Sequence, residues 1–226
     1  DHKKAEKFLL NSLTKPEDGV VSKYINRKFS AKIFTPLILK IYKDATPNQV
    51  SVLSFTVAVL SAILFFLVHP IIGGIFIQLA SILDGCDGEI ARLKNMTSSF
   101  GKFFDAILDR YADTFILLGM FYYSAVTLSN EEIFGVYWSP LIVIFISMLA
   151  IIGSLMVSYT SARAVADLNY QLKGNRDLRL FLLFGGGVLT CIHPISVLFT
   201  LFVLALMTNI IVTHRTIQLW KKFRNK

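Results

Sequence analysis

The segment Asp84-Gly85-Cys86-Asp87-Gly88-Glu89-Ile90-Ala91-Arg92, followed after a short polar gap by Gly101, Asp105 and Asp109, sets the architecture of this chain. The apolar runs on both sides of this segment are long enough to be membrane helices. Residues three and four apart share a face of an α-helix, so the first two aspartates share a face, and so do Asp105 and Asp109. If the two runs are consecutive membrane helices, both pairs lie at the same membrane surface.

The four carboxylates need positive charge nearby, because an uncompensated acid beside a membrane is strongly destabilising. The basic residues close in sequence are too few for these acids together with Glu89 and Asp113; they are Arg92, Lys102 and Arg110. A divalent cation is the simplest alternative, since Mg²⁺ and related ions bind clustered carboxylate oxygens.

Small residues lie beside the acids. Gly88, Ala91 and Gly101 remove side chains from the helix faces, which lets a ligand or a neighbouring backbone approach. With one arginine behind them, Arg92, they indicate a pocket for a metal-bound phosphate ester.

In this order and spacing, the segment resembles the signature of the CDP-alcohol phosphatidyltransferase family at every defined position. The resemblance implies two Mg²⁺ or Mn²⁺ ions held by Asp84, Asp87, Asp105 and Asp109, with Asp109 also the general base. It implies a nucleotide site beside the acids, at Asn48, Gly88, Ala91, Arg92 and Gly101. A homodimer is implied by the family alone.

Thr46-Pro47-Asn48 has two interpretations of equal weight. Proline in the first turn is typical of a helix start, which makes the tripeptide a cap. The same tripeptide recurs before the first membrane helix of the family, where it faces the nucleotide, and this is the basis for including Asn48 in the site.

Charge and hydropathy predict a membrane topology. The chain has 226 residues, is 54% hydrophobic and carries a net charge of +8. Its basic residues occur only in four blocks, Lys3–Lys43, Arg92–Arg110, Arg163–Arg179 and Arg215–Lys226. If each segment between the blocks crosses the membrane twice, all four blocks lie on one side, which is the positive-inside pattern.

We therefore expect an all-α integral membrane protein of the cell membrane with six transmembrane helices, and with both termini and the active site in the cytoplasm. The predicted crossings are residues 49–68, 71–92, 101–128 and 140–162, and two more on either side of a turn at His193-Pro194. Nucleic-acid binding is disfavoured, because the basic residues lie at helix ends rather than among aromatic residues on one surface.

Composition divides the chain into three parts. Residues 1–18 are polar and indicate a linker from an upstream domain. Residues 19–45 alternate apolar and basic residues at helical spacing, which indicates amphipathic helices in the membrane interface, interrupted at Pro36. A surface helix on a soluble domain is the alternative. Residues 46–226 form the six-helix domain.

Two smaller features predict packing rather than chemistry. Cys86 and Cys191 fall at opposite membrane surfaces, too far apart for a disulfide. Gly185-Gly186-Gly187 lies mid-membrane without a flanking strand, which favours a close helix contact over a phosphate loop.

The third basic block, Arg163–Arg179, between the fourth and fifth crossings, is either a solvated loop or an anion site. Family members that accept a phosphorylated alcohol use arginines here, and the resemblance implies acceptor-phosphate binding by Arg163, Arg179, Arg176 and Lys102. Asp113 continues the face of Asp109, and we interpret it as a buried, paired acid.

The substrates follow only from resemblance. Residues Lys15 to Ser30 resemble the membrane part of enzymes that join an inositol-phosphate cytidylyltransferase to di-myo-inositol-phosphate-phosphate synthase. This implies transfer from CDP-inositol to inositol 1-phosphate with release of CMP, and a cytidylyltransferase domain fused upstream. A phospholipid synthase that uses CDP-diacylglycerol or CDP-archaeol is one alternative. A cation or proton transporter is another, although it predicts acids near mid-membrane in two repeated halves.

Overall fold

The computed structural model describes residues 19–128, 132–133, 136–172 and 175–224. Within them the long elements are six helices: α1 (Pro47–Phe66), α2 (Pro70–Leu93), α3 (Ser99–Leu128), α4 (Pro140–Leu168), α5 (Arg176–Val188) and α6 (Ile195–Phe223). Two short strands, Glu132–Ile133 and Val136–Tyr137, pair antiparallel between α3 and α4, and a 3₁₀ turn, Leu189–Cys191, follows α5. The predicted linker at residues 1–18 lies outside the described residues.

Four of the six helices have the length and hydropathy to cross a membrane, namely α1, α2, α4 and α6. The chain is a multi-pass membrane protein. Helix α3 has 30 residues, but its first half carries the acidic and basic side chains of the signature. Helix α5 has only 13 residues, about 20 Å at 1.5 Å per residue, which is shorter than a bilayer core.

Helix α1 packs along both α2 and α3, whereas α2 and α3 contact each other at few positions. Small buried residues make this close packing possible. The Ser61 hydroxyl donates to the carbonyl of Gly73 at 2.9 Å, and Ser54 donates to the carbonyl of Ala80 at 3.1 Å. The signature ends of α2 and α3 are thus held on either side of α1, with a cleft between them.

The second half of the chain packs against this unit. Helix α4 lies along α6, and α5 lies between α2 and α6. The backbones of α2 and α5 approach closely, because a Cβ atom on Gly187 would lie 2.8 Å from the Cα of Gly74. The prediction that the glycine triplet is a helix contact is confirmed.

A run of helical turns precedes α1. It consists of π-helical turns at Ser22–Asn26 and Ser30–Phe34 and α-helical turns at Arg27–Phe29 and Thr35–Ile41, and we refer to residues 22–41 as the N-terminal run. The predicted break at Pro36 is wrong. Pro36 lies in the first turn of its helical segment, where no backbone N–H is required, and the chain stays helical through it.

The two faces of the N-terminal run differ. The buried face is mainly polar and comprises Asn26, Arg27, Ser30 and Thr35 together with Ala31. The opposite face is exposed and carries lysines together with large apolar residues, among them Tyr24, Phe29, Ile33, Leu37 and Ile41.

Helix α4 continues to Leu168, beyond the predicted end at Ala162. Arg163 is therefore on a helix and not in a loop. Its guanidinium lies 2.8 Å from the carboxylate of Asp167, one turn later, and such a pair supports an exposed helix end. The Arg215 side chain of α6 also donates to the Val157 carbonyl and the Ser161 hydroxyl, both at 2.9 Å.

The two cysteines are separate, as expected. Cys86 is buried on α2, Cys191 is exposed in the 3₁₀ turn, and both are free thiols.

Replacing Gly187 with alanine should separate α2 from α5. The added methyl group would meet backbone atoms that have little freedom to move, so we expect the free energy of unfolding to fall by about 1–3 kcal/mol. Gly185→Ala is the matched control, because a Cβ atom there has nothing within 4 Å. It should be neutral or slightly stabilising in a helix. Thermal unfolding in detergent micelles would measure both, and equal melting temperatures would contradict the close contact.

Candidate active site

Four aspartates meet where α2 ends and α3 begins. Carboxylate oxygens of Asp84, Asp105 and Asp109 lie within 4.8 Å of one another. Asp87 adjoins them, and its carboxylate faces those of Asp84 and Asp105. The Ser51 hydroxyl of α1 donates to Asp87 Oδ2 at 2.5 Å, which fixes this side chain. The structure thus brings together all four aspartates of the signature.

Arg176, the first residue of α5, lies against this cluster. Its Nη1 atom is 3.0 Å from Asp84 Oδ2 and 2.8 Å from Asp109 Oδ1. Asp109 is also 3.3 Å from Nη2 of Arg110, the next residue along α3. The cluster is therefore neutralised in part by arginine, and the guanidinium links α5 to both helix ends.

Asp113 forms an ion pair with Arg176. Arg176 Nε donates to Asp113 Oδ1 at 3.0 Å, and Arg179 Nη2 lies 3.4 Å from Asp113 Oδ2. Arg179 is itself buried, and it donates to the carbonyl of Ser154 on α4 at 2.9 Å and to the hydroxyl of the same residue. The interpretation of Asp113 as a buried, paired acid is confirmed.

Glu89 has its own partner on a distant part of the chain. Arg27 Nη1 lies 3.0 Å from Glu89 Oε1, although the two residues are 62 positions apart. The expectation that cations are too few for the acids of this region is therefore wrong. That expectation counted only basic residues close in sequence to the acids. Arg27 reaches Glu89 from the N-terminal run, and Arg176 reaches Asp84 and Asp109 from α5.

Two cavities open on either side of the aspartates. The first, of about 420 Å³, is lined by Asp84 and Asp109 and by Arg176, and we refer to it as the Arg176 cavity. The second, of about 610 Å³, begins at Asn48 and is called the Asn48 cavity. Asp87, Gly88 and Asp105 line both, so the cavities meet at the acidic cluster.

The Asn48 cavity gathers the residues that the resemblance assigned to the nucleotide. All five of them line it, together with Lys102: Asn48, Gly88, Ala91, Arg92 and Gly101. The cap interpretation of the tripeptide also holds, since the backbone N–H of Thr46 donates to Gln49 Oε1 at 2.9 Å. The start of α1 therefore combines a helix cap with a cavity wall.

The four residues assigned to the acceptor phosphate are spread out. Arg176 lines the cavity that carries its name, and Lys102 lines the Asn48 cavity. The Arg163 side chain is 56% exposed and paired with Asp167 on α4, whereas Arg179 is buried beneath Asp113.

Sequence reasoning did not identify Ser51 or Arg27 as part of this region. A signal for Ser51 was present, because Ser51, Ser54, Ala58 and Ser61 form a stripe of small residues along an otherwise apolar helix. For Arg27 the spacing of residues offers no signal, since its partner is on another helix.

The carboxylate oxygens of this cluster suit a hard divalent cation. Carboxylate oxygens from two helices converge within 4.8 Å, and Mg²⁺ and Mn²⁺ prefer such ligands. Arg176 contacts two of the three converging carboxylates, so an ion between them requires the guanidinium to withdraw toward Asp113.

Comparison with known proteins places this geometry in a family. The profile of the CDP-alcohol phosphatidyltransferase family matches residues 44–220. A protein of Aquifex aeolicus named bifunctional IPC transferase and DIPP synthase is 35% identical over 237 residues, which cover 100% of this chain and 50% of that protein. The protein of the same name from Thermococcus kodakarensis is 37% identical over 191 residues, covering 80% of this chain and 40% of that protein. The chain thus spans half or less of the length of these relatives.

A solved structure shares the fold. The crystal structure of Mycobacterium tuberculosis phosphatidylinositol phosphate synthase with CDP-DAG bound superimposes with a TM-score of 0.70 at 24% identity, covering 84% of this chain and 94% of that one. The profile match over residues 44–220 includes all four aspartates and every residue that lines the two cavities, apart from Gly19 and the N-terminal run. The chain belongs to the CDP-alcohol phosphatidyltransferase family.

Proposed function

We propose that this chain transfers a phospho-alcohol group from CDP-inositol to a hydroxyl of inositol 1-phosphate, with release of CMP. The observation that carries the proposal is the position of the four aspartates between two cavities. One cavity has the small residues and the asparagine of the nucleotide signature, and the other has an arginine. A donor and an acceptor can therefore approach the same carboxylates from opposite sides.

The reaction is a substitution at phosphorus. The acceptor hydroxyl oxygen forms a bond to the phosphorus that carries inositol, and the bond from that phosphorus to the oxygen of CMP breaks. Asp109 is the proposed general base and takes the proton of the hydroxyl, because it lines the Arg176 cavity beside the shared residues Asp87 and Asp105. Mg²⁺ or Mn²⁺, as two ions on Asp84, Asp87, Asp105 and Asp109, would neutralise the charge on the diphosphate and on the departing CMP.

Arg176 is the proposed contact for the phosphate of the acceptor. A guanidinium group binds phosphate through two parallel hydrogen bonds, and this one already lines the cavity. Arg179 holds Asp113, which in turn holds Arg176, so its proposed role in acceptor binding is indirect. Lys102, which lines the Asn48 cavity, and Arg163, which lines neither cavity, remain proposed acceptor contacts.

For the membrane topology we propose six crossings with both termini and the acidic cluster on the cytoplasmic side. The four basic blocks support this, since an even number of crossings between them leaves every block on the same side. The N-terminal run would lie in the interface, because its exposed face combines lysines with large apolar residues.

Other partners are proposed from the relatives. In two relatives named bifunctional the matched region covers only 50% and 40% of the length, which supports a fused cytidylyltransferase as the source of CDP-inositol. A homodimer is proposed from the family.

A transporter function loses its support, because the acids lie at helix ends in a transferase family.

A lipid donor is the second candidate. An archaetidylinositol phosphate synthase of Pyrococcus horikoshii is 34% identical over 119 residues, covering 53% of this chain. Release of CMP measured in parallel from CDP-inositol and from CDP-diacylglycerol or CDP-archaeol, each with Mg²⁺ and with or without inositol 1-phosphate, separates the candidates. Turnover only with a lipid donor would overturn the choice of CDP-inositol, and no release from any donor would overturn the proposed reaction.

Asp109→Asn should abolish transfer while nucleotide binding stays largely intact. The amide keeps the size of the side chain but cannot accept the proton of the attacking hydroxyl, so we expect CMP release to fall by a factor of about 100 or more. Binding of CMP by titration calorimetry, with Mg²⁺ present, should change far less.

Asp44→Asn is the control for this variant, since Asp44 is exposed before α1 and lines neither cavity. It should turn over normally. Normal turnover by Asp109→Asn would show that the base is another residue.

Arg176→Gln should increase the affinity of the aspartates for a divalent cation. The guanidinium now competes for Asp84 and Asp109, so its removal should lower the Kd for Mn²⁺ by about tenfold, or about 1.4 kcal/mol. Electron paramagnetic resonance of free Mn²⁺ measures this without turnover. Arg224→Gln removes an equal charge from a side chain that stacks on Trp220, and should leave the Kd unchanged. An unchanged or weaker affinity in Arg176→Gln would contradict the competition.

A further inference from the structure

A second polar stripe follows α2 beside the aspartates. It consists of Gln78, Ser81, Gly85 and Glu89, which are three or four residues apart and so share a face of the helix. Every one of these residues is hydrogen-bonded to the N-terminal run. Gln78 donates to Asn26 Oδ1 at 2.8 Å, Asn26 donates to the Ser81 hydroxyl at 2.9 Å, and Arg27 donates to the Gly85 carbonyl at 3.0 Å.

Of these four residues, Glu89 accepts the most hydrogen bonds from the N-terminal run. Its side chain is 0% exposed, and three groups of the N-terminal run donate to it. Arg27 reaches Oε1 at 3.0 Å, the Ser30 hydroxyl reaches Oε1 at 2.6 Å, and the Thr35 hydroxyl reaches Oε2 at 2.7 Å. A buried carboxylate with all its partners holds two elements together, and removing its charge takes an ion-pair partner away from a buried guanidinium.

The π-helical turn of the run makes this arrangement possible. Ser30 and Thr35 are five residues apart, and on an α-helix they would point about 140° away from each other. The π-helical segment Ser30–Phe34 has five-residue spacing between bonded groups, so both hydroxyls face Glu89.

Docked in this way, the run forms a wall of the Arg176 cavity. Ser22, Asn26 and Arg27 of the run line that cavity together with Gly19, which precedes the run, and none of the run's residues lines the Asn48 cavity. At the far side the backbone N–H of Ser22 donates to Asp177 Oδ2 at 2.7 Å, so the run bridges α2 and α5.

We infer that Glu89 is a positioning residue for the acceptor: it holds the N-terminal run as the wall of the Arg176 cavity, and through that wall it determines how the phosphorylated alcohol sits against the aspartates. The inference rests on the proposed function for the identity of this substrate. Glu89 does not touch the reacting atoms, because it is buried on the face of α2 that the run covers. Its effect should therefore be on one substrate and not on the other.

The test is Glu89→Gln in the full chain, with steady-state CMP release measured against each substrate. We expect the KM for inositol 1-phosphate to rise by at least about tenfold, since a small displacement of a positioning wall has a large effect. The KM for CDP-inositol should stay within about twofold. Trypsin should also cleave at the exposed residues Lys23 and Lys28 faster than in the wild type, because cleavage requires the run to detach.

Ser61→Ala is the matched control for lost stability. It removes a buried hydrogen bond between α1 and α2 far along the helix from Glu89, and should leave both KM values unchanged. Thr35→Val removes one hydrogen bond and keeps the ion pair, so it should shift the acceptor KM in the same direction by less, and it tests the inference if Glu89→Gln fails to fold.

Two outcomes would overturn the inference: an unchanged acceptor KM in the variants, or an equal rise in both KM values. Wild-type chain that releases no CMP would instead refute the proposed function. In that case the rate of tryptic cleavage still tests whether Glu89 holds the run, and unchanged cleavage in Glu89→Gln would overturn that part.

Discussion

Six carboxylates on α2 and α3 lie close enough to repel one another, and the protein must compensate them inside a largely apolar bundle; they are Asp84, Asp87, Glu89, Asp105, Asp109 and Asp113. Arg176 contacts Asp84 and Asp109 at one end of its guanidinium group and Asp113 at the other, and Arg179 completes the pairing of Asp113. A buried charge without a partner would cost several kcal/mol, so these contacts largely determine where α5 begins. The position of α5 therefore follows from electrostatics as much as from apolar packing.

The acids of the signature region divide into two groups: Glu89 and Asp113 line neither cavity, whereas the four signature aspartates line one or both. Glu89 and Asp113 are buried and bound by arginines, and they position the N-terminal run and α5. Asp87 and Asp105 line both cavities, and Asp84 and Asp109 line the Arg176 cavity, where we propose that substrates and metal ions reach them. In sequence these acids look alike, since all lie within a few helical turns. One set of acids therefore holds neighbouring elements in place, and the other lines the proposed reaction site.

Much of this arrangement could be predicted from the sequence, because it depends on local spacing. The pairing of the aspartates, the helix start at Thr46 and the glycine contact at Gly187 all follow from helical periodicity and residue size. The rest depends on residues far apart in the chain. No spacing rule relates Arg27 to Glu89, which is 62 residues later in the chain. The π-helical turn that directs Ser30 toward Glu89 also has no sequence signal. The end of α4 was missed because a charged surface turn and a loop have similar composition.

Anomalous diffraction from crystals soaked in Mn²⁺ would examine most directly whether the aspartates hold metal. The structure predicts anomalous peaks between Asp84, Asp105 and Asp109, whose carboxylate oxygens lie within 4.8 Å of one another. The Arg176 guanidinium should then have left Asp84 and Asp109 while it still contacts Asp113. Saturating Mn²⁺ that gave no peak within about 4 Å of these carboxylates, with Arg176 in place, would contradict metal-assisted transfer at this site.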